Sequence, residues 1–252
     1  MKKSFLGNDL PILTTMLPYK TPDEVVDTIK KAIKNGAEAF GLQSESLYKE
    51  YYNEENLKRI FEATEGRPIY VTYYRMGENE GKSDDELAEG MLELADWGAT
   101  LVDVMGDLFC RHSEELTDNP EAVKKQMDLI EELHKRGAEV IMSSHILKFT
   151  PAERVLEIAL EQKRRGADII KIVSGATTMA EQIENLRITD LLKRELGAPF
   201  LFLSSGECFI LRRLGVKLGC CMCLCVNEKN ELTTPGQPEL NEITFICDKA
   251  GF

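Results

Sequence analysis

The chain has 252 residues, 43% of them hydrophobic and 29% charged, with a formal charge of −12. This is the make-up of an ordinary globular protein, and its acidic balance argues against nucleic acid or an anionic membrane surface as the main partner. No run of 18 apolar residues occurs, which excludes a transmembrane helix.

At the N-terminus an acid, Asp9, arrives before any apolar stretch of signal-peptide length, so a cytoplasmic protein is expected. The length suits two small domains or one α/β barrel. Apolar runs of strand length fall at Ile12–Leu17, Ala39–Leu42, Ile69–Tyr74, Leu101–Met105, Val140–His145, Ile169–Val173, Phe200–Leu203 and Cys220–Val226. Charged stretches with helical spacing separate them, as in Val25, Val26, Ile29 and Ile33. Thr21-Pro22-Asp23-Glu24 and Thr150-Pro151-Ala152-Glu153 predict Thr N-caps with Pro at the first helical position and Glu at the third. Ser83-Asp84-Asp85-Glu86 and Asn119-Pro120-Glu121 are weaker signals of the same kind. Helix ends are marked by Gly36, Gly66, Gly98, Gly137, Gly166 and Gly197, spaced 30, 32, 39, 29 and 31 residues apart.

Eight such units consume the chain and predict an α/β fold, a (β/α)8 TIM barrel with a single domain over 1–252. No G-x-G-x-x-G follows the first strand and no P-loop occurs, so nucleotide cofactors have no support. Four of the seven cysteines crowd into Cys220, Cys221, Cys223 and Cys225. On a strand, Cys220 and Cys223 point to opposite faces, so packing cysteines are expected rather than a metal site.

In such barrels chemistry sits at the C-terminal ends of the strands. Lys171 stands inside the apolar run Asp168-Ile-Ile-Lys-Ile-Val173. A lysine there is paired with a strand carboxylate, or is a desolvated amine able to form a Schiff base with a ketone. His145 ends the preceding strand and has the position of a general acid/base. His134 lies on a charged helix, and His112 lies in the long loop after strand four. Arg75, Arg212 and Arg213 follow strands three and seven, and arginine is the natural clamp for a carboxylate. The polar loop Asn227–Gln237 is a plain loop or a lid over the substrate.

These segments resemble the type I 3-dehydroquinate dehydratases. Val140-Ile-Met-Ser-Ser-His145 with Thr150-Pro151 is similar to the family's V-I-x-S-x-H-x-x-x-x-T-P. Gly166-Ala-Asp-Ile-Ile-Lys-Ile172 is similar to its G-A-D-x-x-K-I. Ile210-Leu-Arg212 with Gly215 and Gly219, Thr233-Thr-Pro-Gly-Gln237, and Tyr73-Tyr-Arg75 with Glu78, Glu80 and Gly81 resemble three further family segments in order. The resemblance implies dehydration of 3-dehydroquinate to 3-dehydroshikimate, in the shikimate pathway to aromatic amino acids. It implies no cofactor, no metal, a small carboxylated keto substrate and a homo-oligomer, dimer or tetramer. Lys171 would form the imine and His145 would move the protons. Arg212 would hold the substrate carboxylate, with Gln237 and Thr233 closing over it.

Departures fall on one side of the pocket. Gln43 and Glu45 stand where the family carries E-W-R, and Asp103-Val104-Met105 replaces its D-x-E. Ser204-Ser-Gly-Glu-Cys208 is one residue shorter than its counterpart, and Ile146-Leu147 follows the histidine. A Schiff-base lyase of the same barrel family acting on another carboxylated keto compound is therefore a second reading. An idle barrel that binds a shikimate-like ligand is a third.

Overall fold

The computed structural model describes residues 4–6, 11–207 and 209–249. Most of the N-terminal segment read above, and Cys208, lie outside them. Among the described residues eight strands alternate with eight α-helices. The strands are β1 (Ile12–Leu17), β2 (Ala39–Gln43), β3 (Ile69–Thr72), β4 (Leu101–Met105), β5 (Glu139–Ile146), β6 (Ile169–Ala176), β7 (Phe200–Gly206) and β8 (Met222–Val226). The helices are α1 (Pro22–Lys34), α2 (Glu54–Ala63), α3 (Asp84–Trp97), α4 (Pro120–Lys135), α5 (Ala152–Arg164), α6 (Met179–Glu195), α7 (Ile210–Leu218) and α8 (Leu240–Lys249).

All ladders are parallel and run β7-β6-β5-β4-β3-β2-β1-β8. The two ends of the sheet meet where the Cys221 amide donates to the Phe200 carbonyl at 2.8 Å, so the barrel is nearly closed. Among the described residues no helix is long and apolar enough to cross a membrane.

The six glycines read as helix stops all adopt positive φ, from 58° at Gly197 to 127° at Gly98, a region open to glycine at no steric cost. Thr21 and Ser83 form capping boxes with Glu24 and Glu86, and Asn119 caps α4. The expectation at Thr150 needs correction. Pro151, not Thr150, occupies the N-cap position of α5, and no side chain caps that helix. Thr150 is held instead by the end of β6, its amide donating to Ser174 Oγ at 3.1 Å. Strands β6 and β7 run three residues past their apolar runs, and β5 runs one. Their polar ends still pair: His145 lies opposite Val173, and Ser174 opposite Ser204. Cys220, Cys221, Cys223 and Cys225 are all buried, and burial pushes the Cys220 and Cys225 thiols up to about 12.

Candidate active site

Alternation along a strand sends every second side chain into the barrel. On β6 this aims Lys171 and Val173 inward, and on β5 Ser143 and His145. Lys171 pairs in register with Ser143, which places His145 one step nearer the mouth on the neighbouring strand. Both side chains line a cavity of about 550 Å3 together with Gln43, Tyr74, Arg212 and Gln237. That volume is in the range of small-molecule sites.

The lysine is 5% exposed and fully engaged. Its Nζ contacts Asp103 Oδ2 at 3.0 Å, the Tyr70 hydroxyl at 2.9 Å and the Tyr74 hydroxyl at 2.8 Å. Both phenols donate to Asp103 Oδ2, and Ser143 Oγ donates to Oδ1 at 2.6 Å. Burial works against charge on Asp103. The Lys171 ammonium and the three hydroxyl donors outweigh it and hold the carboxyl below its usual range. The strand carboxylate named as one alternative for Lys171 is thus Asp103. That pairing leaves the amine at the cavity wall.

His145 Nδ1 lies 2.8 Å from Glu115 Oε2, and the same oxygen accepts from the His145 backbone amide at 2.8 Å. A carboxylate at Nδ1 fixes the proton there and leaves the lone pair on Nε2. Burial opposes the Glu115 charge, but the His145 contacts and Lys171 hold its carboxyl below the usual value. Glu115 has φ 44°, a left-handed conformation that non-glycine residues rarely adopt. Its carbonyl accepts from Ser144 Oγ at 2.7 Å and sits over Gly106, where a Cβ would lie 2.4 Å from that oxygen. Gly106 therefore lets the loop come close enough to deliver Glu115 to His145.

Arg212 is 8% exposed, and its Nε donates to the Ser204 carbonyl at 3.0 Å. It forms no ion pair among the described residues, and burial pushes its pKa down. A buried guanidinium without a counter-ion, facing a cavity, suits an incoming anion. Gln237 reaches the cavity with Nε2 bonded to the Cys225 carbonyl at 3.3 Å.

The other residues singled out from the sequence are placed differently. Arg75 is gripped by Asp84 at 2.7 and 2.8 Å and by Asp107 at 2.7 Å. Burial opposes its charge, yet the two aspartates raise its pKa overall. It lines an outer chamber of about 1130 Å3 with Met105, His112 and Glu115, and does not line the lysine cavity. Arg213 pairs with Glu242 at 2.5 Å and lines neither chamber. Glu45 is 1% exposed and does not line the cavity. Both its carboxylate oxygens accept from Thr72 Oγ1 at 2.9 Å, and burial raises its pKa to about 7. Thr233 Oγ1 is turned to Asn230 at 3.1 Å, while its neighbours Thr234 and Pro235 line the cavity. Gln43 opens to both chambers.

The strand order and the lysine inside β6 define a (β/α)8 barrel built around a buried amine, a histidine–carboxylate pair and an anion-seeking arginine. A family model described as type I 3-dehydroquinase matches residues 13–249, and the chain belongs to that family. A 3-dehydroquinate dehydratase of Clostridium kluyveri is 30% identical over 184 residues, 70% of this chain and 66% of that protein. One of Listeria monocytogenes is 28% identical over 122 residues, covering 48% of each chain, so the alignments span about half to two thirds of these relatives. The crystal structure of 3-dehydroquinate dehydratase from Geobacillus kaustophilus superposes with a TM-score of 0.80 at 15% identity, covering 97% of this chain and 94% of that one. That likeness establishes the barrel fold.

Proposed function

We propose that the protein is a type I 3-dehydroquinate dehydratase that converts 3-dehydroquinate to 3-dehydroshikimate through an imine at Lys171, with the barrel acting as one catalytic domain. The observation that carries this reading is a buried lysine amine, a histidine poised by a carboxylate and an arginine with no ion pair among the described residues, all lining one cavity. The amine attacks the C3 ketone, and loss of water gives a protonated imine. Nε2 of His145 takes the C2 proton, and the C–H electrons pass into an enamine with the imine as sink. The enamine then expels the C1 hydroxyl, which leaves as water with the proton carried by His145. Hydrolysis of the remaining iminium frees the product and the lysine. Arg212 holds the substrate carboxylate, and Gln237 closes on it from the eighth loop. Thr233, Gln43, Glu45 and Arg75 belong to the surrounding shell. No cofactor or metal has a part in these steps.

Family membership supports placing the protein in the shikimate pathway as a cytoplasmic homo-oligomer, a dimer or tetramer, which sedimentation would test. Gln43 and Met105 on the hydroxyl-reading side favour the second reading, a different carboxylated keto substrate on the same lysine. A pocket that lacks paired polar groups for hydroxyls discriminates differently among ring compounds. Turnover of 3-dehydroquinate measured by the absorbance of the conjugated product decides between the two. No turnover, with an adduct from another keto acid, would select the second.

A further inference from the structure

The Lys171 amine has two phenol neighbours that make nearly identical contacts. Tyr70 and Tyr74 both lie within 2.9 Å of Nζ and both donate to Asp103 Oδ2. They differ in what else they meet. Tyr70 is fully buried and lines the inner cavity alone, whereas Tyr74 is partly open, lines both chambers and sets its ring edge-on to His145 with centroids 5.5 Å apart. Tyr74 is therefore the phenol placed where the oxygen of an attacked ketone would sit. An amine turned into an imine must shed two protons and the ketone oxygen must gain two, so a donor beside both atoms has a task that His145 need not perform.

Resting on the imine chemistry proposed above, we infer that Tyr74 is a catalytic residue, the proton donor that carries protons from the Lys171 nitrogen to the departing ketone oxygen, with Asp103 as the proton's temporary seat. The Lys171 ammonium gives one proton to Asp103 Oδ2, and the freed lone pair forms the C–N bond as the C=O π pair moves to oxygen. Tyr74 gives its phenol proton to that oxygen and takes one from the nitrogen, leaving a neutral carbinolamine. It then protonates the hydroxyl a second time. The C–O bond breaks, water leaves, and the nitrogen lone pair completes the C=N bond. Asp103 returns its proton to the Tyr74 oxygen. Ketone and ammonium have become iminium and water, the positive charge is unchanged, and Asp103 is again a carboxylate facing it. Tyr70, closed off from the outer chamber, is a positioning residue that holds Asp103 and Nζ in register. Burial raises the pKa of both phenols well above the ordinary value, which keeps them protonated at rest.

The test is the rate of borohydride trapping with 3-dehydroquinate, followed by intact mass on a quenched-flow time scale. Wild type, Tyr74→Phe and Tyr70→Phe are compared. General acid–base catalysis contributes about 10²–10⁴-fold, so Tyr74→Phe is expected to slow adduct formation by about 10²-fold and Tyr70→Phe by much less. Adduct formation at the wild-type rate in Tyr74→Phe, or equal slowing in the two variants, would overturn the inference. Absence of any adduct on wild-type Lys171 would instead overturn the imine reading on which it rests. If Tyr74→Phe does not fold, the solvent deuterium isotope effect on wild-type trapping replaces it. A normal effect supports proton transfer through the phenol, and no effect contradicts it.

Discussion

Replacing Arg212 with methionine separates a binding role from a structural one. The substitution keeps the unbranched stem in its packing and removes the guanidinium. What the fold loses is one charge-assisted hydrogen bond to the Ser204 carbonyl, worth about 1.5–3 kcal/mol. What it is relieved of is a buried charge with no counter-ion among the described residues, an effective penalty of several kcal/mol. The ligand-free variant should therefore be as stable as wild type or more stable, by up to about 2 kcal/mol. In a chain of this length each kcal/mol moves Tm by about 2–4 °C. A ligand at a hundred times its Kd adds about 2.7 kcal/mol to wild type. Excess 3-dehydroshikimate should thus raise the wild-type Tm by about 5–11 °C and leave Arg212→Met unmoved. Urea unfolding without ligand, and thermal unfolding with it, read the two effects separately. A loss of more than about 2 kcal/mol without ligand, together with a wild-type ligand shift, would refute the reasoning and make Arg212 a structural residue.

Glu115→Gln keeps the volume beside His145 but removes the charge that orients the ring. Steady-state kinetics should show kcat down by about 10²-fold with KM little changed, and a KM effect alone would contradict the positioning role. Glu45 gives a pH dependence of definite sign. Its carboxyl rises from 4.5 to about 7 on folding, so between those values the folded chain binds more protons than the unfolded one. Stability should fall by up to about 3 kcal/mol as pH rises through that window, and Glu45→Gln should flatten the decline in urea midpoints. Asp103 and Glu115 act in the opposite sense. Their folded values are depressed, so the stability they contribute is complete above their ordinary range near pH 4 and is lost as pH falls through their lowered values. In acid titrations Asp103→Asn should show a shallower loss than wild type below pH 4.

Much of the architecture could be read before any coordinates because its signals are local. A glycine past a helix and an apolar run after it are properties of a few neighbouring residues; together they place β2 to β7, and the apolar runs alone place β1 and β8. Lys171 and His145 were visible for the same reason, being a charge and an imidazole inside or ending apolar strands. The remainder of the site depends on where distant segments touch. Glu115 lies 30 residues before His145 in a loop with no periodic pattern, and its aim rests on a left-handed backbone and on Gly106. The signal that was available is the glycine directly after β4 followed by the acidic pair Glu114-Glu115. Arg75 looked like a substrate clamp because its two aspartates, Asp84 and Asp107, sit on α3 and on the loop after β4. Glu45 looked like a pocket residue because its sequence position matched one. Its side chain instead turns to Thr72 on the adjacent strand, a choice set by the short helical turn at Ser44–Ser46.

The most direct test of the account is chemical capture of the imine. The protein is incubated with 3-dehydroquinate and borohydride, digested, and the peptide holding Lys171 is weighed. The account predicts a reduced substrate adduct on Lys171, its absence in Lys171→Ala, and loss of dehydration in that variant. Dehydration that persists in Lys171→Ala, or an adduct carried by another lysine, would contradict it.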